Sequence, residues 1–238
     1  MSAQRVGAAP KGVAWFVTGT DTGVGKSLVA CALMLHLRAR YAHVAGMKPV
    51  AAGTERAPDG SWGNEDVWAL RAAATVDLPQ SLVNPYLLHA PVSPHIAARR
   101  EGVSIALDTI TGACARLREQ CDALVVEGAG GFRVPLSDAL DGADLAVALG
   151  LPVILVVGLR LGCLNHAVLT AESITARGLK LAGWVANHVD PDMPEQQANI
   201  DWLQLQLNVP LLADLPYGAT PDAQQLAVHF DLPQEFFA

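Results

Sequence analysis

The sequence predicts an α/β fold, a doubly wound and mostly parallel sheet with helices on both faces. Three observations lead there. Runs such as residues 153–157 (VILVV) are apolar without alternation, as strands are when helices cover both faces of a sheet. Stretches with helical spacing separate these runs, so strand and helix alternate along the chain. The first strand passes through a glycine-rich loop straight into a helix, which is the context of a phosphate-binding loop.

Taken in order, residues 13–18 (VAWFVT) read as the first strand, and residues 27–40 as a helix with Leu28, Cys31 and Leu35 on one face. Residues 44–47 are a short strand stopped by Pro49, which has no N–H for a ladder. A polar loop at 53–63 precedes a helix at 65–74, and a longer helix follows at 104–120. Residues 123–126 (ALVV), 153–157 and 181–186 (LAGWVA) are continuous apolar strands. Residues 167–177 and 195–207 are covering helices, and 210–215 is a last short strand. The apolar stretch 145–159 reads as a helix end followed by a buried strand. Pro152 interrupts it, and it is shorter than the roughly 18 residues that cross a bilayer. There is no repeat, low-complexity tract or linker, so residues 1–238 are expected to form one domain, with residues 1–12 a flexible tail.

With 51 % hydrophobic and 16 % charged residues, the chain can bury a large sheet and is not expected to be disordered. A net charge of −7, with no basic run beyond Arg99-Arg100, argues against nucleic acid as a partner. Nothing in the first twelve residues resembles a secretory signal. Cys31, Cys114, Cys121 and Cys163 form no C-x-x-C pair and read as reduced packing thiols. These features predict a cytoplasmic protein with no membrane contact.

Open parallel sheets bind ligands beyond the carboxyl ends of their strands, so the polar residues there carry the functional reading. The run GTDTGVGKS, residues 19–27, supplies backbone N–H groups and a helix N-terminus for anionic oxygens. Gly23, Val24, Gly25, Lys26, Ser27 and Leu28 are the candidate nucleotide contacts, with Lys26 on the β- and γ-phosphates and the Ser27 hydroxyl on Mg²⁺. The pattern G-x-x-x-x-G-K-[ST] fails by one place: Thr20 stands where its first glycine belongs, and Gly19 is one residue early. The loop does not distinguish ATP from GTP. A second cluster, EGAGG, begins after ALVV. In it Glu127 suits a metal or its waters, while Gly128, Ala129 and Gly130 let backbone approach a phosphate. Lys48, at the end of the second strand, is one of only four lysines and faces the same edge. Asp66 opens a helix, where a carboxylate is a favourable dipole partner. Asn187-His188-Val189-Asp190 is similar to the N-K-x-D guanine reader of GTPases, but His188 replaces the lysine. Asn187 suits a purine edge; guanine is not expected.

Together these residues resemble dethiobiotin synthetase over about residues 13–217. The similar stretches are T-G-T-D-T-x-V-G-K-S at 18–27, G-x-K-P-V at 46–50, N-P-Y at 84–86 and S-P-H at 93–95. V-E-G-A-G-G at 126–131, P-L-S-D at 135–138, L-P-V-I-L-V-V-G at 151–158, L-G-C-x-N-H-A at 161–167 and G-W-V-A-N at 183–187 complete the set. The resemblance implies a phosphate-binding-loop NTPase fold and an ATP- and Mg²⁺-dependent ligase. Such enzymes carboxylate one amine of 7,8-diaminononanoate with CO2, phosphorylate the carbamate to a carbamic-phosphoric anhydride, and close the ring to dethiobiotin, an intermediate of biotin synthesis. It implies Lys26, Lys48 and Thr22 as catalytic residues, and Ser27, Asp66 and Glu127 as holders of Mg²⁺. Asn187, with His188 beside it, would read adenine, and Pro216 and Tyr217 would flank the base. Thr22, Lys48, Ala52 and Gly130 would lie beside the diamine. The resemblance also implies a homodimer in which Gly162, Cys163 and Asn165 meet the carboxylate of the opposite subunit's substrate. Two departures stand out: Gly23 replaces a glutamate frequent in the loop, and Ala52 replaces a hydroxyl residue. Each removes one hydrogen bond, worth on the order of 1 kcal/mol. His95, His166 and His188 read as packed or capping residues rather than catalytic bases. A rival reading is a ParA/MinD-like ATPase switch, against which residues 20–23 contain no second lysine.

Overall fold

The computed structural model describes residues 12–57 and 60–237. Its elements in chain order are β1 (Val13–Gly19), α1 (Lys26–Leu37), β2 (Val44–Met47), β3 (Val50–Ala52), β4 (Glu55–Arg56), β5 (Trp62–Gly63), α2 (Glu65–Ala72), α3 (Gln80–Val83), β6 (Tyr86–Leu88) and α4 (Pro94–Glu101). They continue with α5 (Leu107–Arg118), β7 (Ala123–Gly131), α6 (Gly142–Leu149), β8 (Val153–Leu159), α7 (Cys163–Ala176), β9 (Leu181–His188), α8 (Gln196–Leu207), β10 (Leu211–Leu215) and α9 (Ala223–Leu226).

Six strands form the central sheet in the order β10-β9-β8-β1-β7-β2, and every pairing is parallel. The fold is therefore the doubly wound α/β arrangement that the unalternated apolar runs predict. Strands β1, β7 and β8 are inner strands, and almost every residue of 13–19, 123–128 and 153–159 is buried. The sheet separates two apolar clusters. Phe16, Leu124 and Val126 face one side with Ile110, Leu117 and Leu145, while Trp15, Val17 and Val125 face the other with Leu33, Met34 and Leu37 of α1. This period-2 alternation sends neighbouring residues of each strand into opposite cores. Further along, Leu155, Val157 and Trp184 pack under α7 and α8 in a third cluster.

Several boundaries differ from expectation, each for a local reason. The strand at 123–126 continues through the glycine cluster to Gly131, which pairs with Gly19 across a register shift. Glu127 thus lies inside a strand rather than in the turn after it. The helix expected at 167 starts at Cys163, because Gly162 adopts φ 96° and turns the chain directly into it. The helix expected at 27–40 ends at Leu37. The loop at 53–63 holds the short antiparallel pair β4–β5. Gly12, expected in the tail, is instead buried, and its carbonyl accepts from Arg118 Nη2 at 2.9 Å; residues 1–11 lie outside the described residues. Among the described residues no helix is long and apolar enough to cross a membrane.

Candidate active site

The carboxyl ends of the six strands share one edge, and nearly all polar candidates gather there. The phosphate loop leaves β1 with Gly23 at φ 75° and Gly25 at φ 86°, values that glycine adopts without the side-chain clash of other residues. Gly25 caps α1, leaving the first N–H groups of that helix directed toward the loop. Asn187 braces it from β9: its Nδ2 donates to the Val24 carbonyl at 2.9 Å. A Cβ on Gly25 would stand 2.2 Å from that same Nδ2. The asparagine read as a base contact therefore also clips the loop, a role that the sequence alone did not indicate. Asp21 adds a second brace, accepting from the Thr22 N–H at 2.7 Å and from Arg160 Nη2 at 2.6 Å.

Lys26 reaches back to the Asp21 carbonyl, with Nζ 3.0 Å from the oxygen. Burial, reinforced by the neighbouring Lys48 charge, lowers its pKa to about 8. An ammonium held in this way gains most from an anionic ligand, because a phosphate supplies the charge that burial has removed.

Beside the loop lies a buried ion cluster. Glu127 is fully buried, and its Oε1 accepts from Lys48 Nζ at 2.5 Å and from the Ser27 hydroxyl at 2.7 Å. Lys48 also pairs with Asp66 Oδ2 at 2.9 Å. Burial would drive the Lys48 pKa down, but Glu127 and Asp66 outweigh it and leave the pKa raised, so the side chain is a firm cation. Burial works to raise the Asp66 pKa, and the Lys48 charge with its hydrogen bonds carries it below the ordinary value. Asp66 stands in the first turn of α2, whose cap Asn64 accepts from the Asp66 and Val67 N–H groups.

Glu127 Oε2 has no hydrogen-bond partner among the described residues, although buried carboxylate oxygens are rarely left so. Together with Ser27 and Asp66 it offers hard oxygen ligands of the kind Mg²⁺ prefers. No group of three or more His, Cys, Asp or Glu side chains suited to a metal occurs among the described residues. Two carboxylates and a hydroxyl would leave the remaining ligands of such an ion to phosphate and water, as Mg²⁺ commonly takes them.

Two clefts flank the loop. Thr22, Lys48, Ala52, Asp66, Ala129 and Gly130 line one of about 470 Å³, walled otherwise by Val50, Pro91, Val92, Ser93, Pro94 and Val134. Its mixed lining, with Lys48, Asp66 and Thr22 as polar groups and aliphatic groups along the wall, suits a short polar head on an apolar chain. His188, Pro216 and Tyr217 line the other, of about 500 Å³, with Gln196, Asp214 and His229. There the two ring nitrogens of His188 stand 2.7 Å from Gln196 Oε1 and 2.7 Å from Asp214 Oδ1. His188 is thus a strut between β9, β10 and α8.

Not every expected residue joins these clefts. Gly162 and Asn165 are exposed at the start of α7 and line neither cleft, and the Cys163 side chain is buried in the core under β8. The Val24 side chain is likewise buried, so Val24 and Cys163 offer a ligand only backbone. All four cysteines are buried and free, and burial raises the thiol pKa to about 12 in Cys31 and Cys121 and to about 11 in Cys114. Sequence reasoning missed Asp21, Arg160, Asp214 and the Pro91–Val92 wall. Only Asp21, within the loop motif, carried a signal that could have found it.

An AAA domain family matches residues 14–225. The chain is 57 % identical over 218 residues to the ATP-dependent dethiobiotin synthetase BioD of Ralstonia nicotianae, covering 91 % of this chain and 94 % of that protein. It is 53 % identical over 220 residues to the protein of the same name from Aromatoleum aromaticum, covering 92 % and 97 %. Among solved structures it is similar to the cell division ATPase MinD of Pyrococcus furiosus, at 16 % identity and a TM-score of 0.54, covering 92 % of this chain and 96 % of that one. MinD of Aquifex aeolicus gives 14 % identity and a TM-score of 0.55, covering 91 % and 94 %. Those two likenesses show the fold alone.

The geometry of the loop generates one prediction. Gly25→Ala places a side chain at positive φ, at a cost of roughly 1–2 kcal/mol, and drives Asn187 from the loop. Calorimetric titration with ADP is expected to show affinity lowered more than about tenfold. Affinity equal to wild type would show that the loop does not depend on this contact.

Proposed function

The chain belongs to the dethiobiotin synthetase family, and from that premise we propose that it makes dethiobiotin from 7,8-diaminononanoate, carbon dioxide and ATP with the residues assembled at the strand ends. The observation that carries the assignment of roles is the position of Lys48. This buried cation touches both Glu127 and Asp66 and also lines the 470 Å³ cleft, so it is shared between the phosphate side and the diamine side.

In this reading the loop amides and Lys26 bind the β- and γ-phosphates. Lys26 exchanges the Asp21 carbonyl for a phosphate oxygen, regaining the charge partner that burial denies it. Thr22, Gly130 and Lys48 hold the diamine head and the carbamate in line with the transferring phosphoryl group, while Val50, Pro91, Val92 and Val134 cover the aliphatic chain. Charge collects on phosphoryl and carbamate oxygens, so positioned cations and amides provide the catalysis and no covalent nucleophile is needed. Ser27, Asp66 and Glu127 hold Mg²⁺ or its waters; the ion neutralises phosphoryl charge when bound. Asn187, Pro216 and Tyr217 meet the adenine. Ala52 removes a hydroxyl from the cleft wall, which weakens substrate binding by about 1 kcal/mol without abolishing the reaction. The buried thiols accord with a reducing cytoplasm, which cell fractionation tests.

The exposed turn at Gly162 and Asn165 supports the homodimer with composite sites. Leu161 beside it is 94 % exposed and Leu169 on α7 56 % exposed, apolar side chains that a partner would cover.

The direct experiment is incubation with ATP, Mg²⁺, bicarbonate and 7,8-diaminononanoate, with dethiobiotin detected by mass. Wild type is expected to form product, and phosphate release is expected to require the diamine; release from ATP alone would instead indicate a switch ATPase. Lys26→Ala is expected to lose roughly a hundredfold or more in turnover, and Asp66→Asn to need more Mg²⁺ for half-maximal rate. Absence of product overturns the proposed reaction, and an unchanged Mg²⁺ requirement removes Asp66 from the metal.

The dimer has its own test. Lys26→Ala and Asn165→Asp proteins, denatured, mixed equally and refolded, should regain about a quarter of wild-type activity, since half the dimers are mixed and each of those holds one intact site. Activity no higher than the parents' average, with exchange confirmed by native mass spectrometry, would remove Asn165 from the partner's site.

A further inference from the structure

The S-P-H stretch at 93–95 has no part in the roles assigned above, yet it borders the substrate cleft. Ser93 is the cap residue of α4, where a serine hydroxyl ordinarily accepts from a backbone N–H of the first turn. Here it makes no such bond; the hydroxyl instead stands 3.0 Å from His95 Nδ1. Ser93 lines the 470 Å³ cleft together with Lys48, Thr22 and Gly130. His95 lines a different pocket, of about 250 Å³, on the far side. That second pocket opens to solvent, its rim formed by an Arg99–Asp138 ion pair whose side chains are 65 % and 82 % exposed. The serine and histidine thus join the substrate cleft to water by a path other than its mouth.

The reaction releases protons that such a path can carry. Each nitrogen of the diamine gives up a proton on becoming part of a ureido ring, and the other groups lining the cleft are poorly placed to take it. Asp66 is engaged by Lys48, Lys48 is itself a cation, and the Thr22 hydroxyl has no acceptor among the described residues. Histidine is the side chain best suited to accept and release protons near neutral pH.

We propose that Ser93 and His95 form a proton relay that serves carbamate formation and carries the released proton from the substrate cleft to the solvent of the second pocket. The proposal rests on the ring-closing reaction described above. In carbamate formation the amine lone pair forms the N–C bond, one C–O π pair of carbon dioxide moves onto oxygen, and the nitrogen loses one proton. That proton passes to Ser93 Oγ as the Ser93 hydroxyl proton passes to His95 Nδ1, and the imidazolium gives a proton to water. Nothing is oxidised or reduced; when Nε2 gives its proton to water the imidazole is left as the other tautomer, and proton exchange with the solvent of the outer pocket and rotation of the serine hydroxyl restore the starting state. Arg99 and Asp138 face His95 from the outer pocket, and Lys48 and Asp66 face Ser93 from the cleft.

The test is steady-state dethiobiotin formation at saturating ATP, Mg²⁺ and bicarbonate. His95→Ala is expected to lose about a hundredfold in turnover, as loss of a general base does, with the KM for ATP unchanged. Added imidazole, small enough for the outer pocket, should restore turnover of His95→Ala in proportion to its concentration, and should do nothing for Ser93→Ala. His95→Asn keeps a hydrogen-bond partner for Ser93 while being unable to carry a proton, so it decides the matter if His95→Ala fails to fold; it should melt like wild type and show the same loss. Turnover of His95→Asn within about twofold of wild type, or a loss in His95→Ala that imidazole does not relieve, overturns the relay. A wild-type protein that forms no dethiobiotin overturns the underlying reaction instead, so the two failures are separate.

Discussion

A carboxylate in the middle of a parallel sheet needs a cation beside it, and much of the site follows from how Glu127 obtains one. An unpaired charge at full burial would cost several kcal/mol. Lys48 at 2.5 Å and the Ser27 hydroxyl at 2.7 Å compensate it. Those two bonds draw together three elements that are distant in sequence: the end of β2, the start of α1 and the middle of β7. Asp66, on the other side of the lysine at 2.9 Å, adds the first turn of α2. Elsewhere the sheet is held by its backbone ladders and by apolar packing on both faces. This point is fixed by directional polar contacts, and the catalytic candidates depend on it for their positions.

The same cluster divides the strand edge into two compartments. On the β2 and β7 side, aliphatic groups and Lys48 enclose a cleft suited to a substrate with a polar head. On the β9 and β10 side, His188, Pro216 and Tyr217 bound a second pocket that the proposed function gives to the nucleobase. The phosphate loop runs between them, braced by Asn187 through Val24 and by Arg160 through Asp21. Arg160 directly precedes the turn at Gly162, so the loop and that turn are mechanically linked within one chain.

The strand and helix content was largely legible in the sequence, because apolar runs without alternation have few other uses in a folded chain. Lys26 and Ser27 were legible from the loop motif, and Lys48 from the rarity of lysine and its place at a strand end. Less legible was anything set by pairing at a distance. Glu127 read as a residue after its strand because glycines commonly end strands, whereas the Gly19–Gly131 pairing extends β7 past it. Asn187 read as a base contact, and its bond to the loop depends on the fold bringing residues 24 and 187 together. Asp214 and Gln196 carried no motif, yet together they hold His188. Ser93 and His95 were visible as part of a similar stretch, but their division between two pockets is a property of the folded surface.

In the proposed function Lys48 serves the reacting groups and the carboxylates while the loop and Lys26 hold the nucleotide. Lys48→Gln separates these functions most directly when ATP affinity, measured by calorimetry, is set against turnover at saturating substrates. ATP affinity is expected to stay close to wild type while turnover falls about a hundredfold or more, as when a contact made chiefly in the transition state is removed. A large loss of ATP affinity with normal turnover at saturation would contradict it, and would make Lys48 a nucleotide anchor.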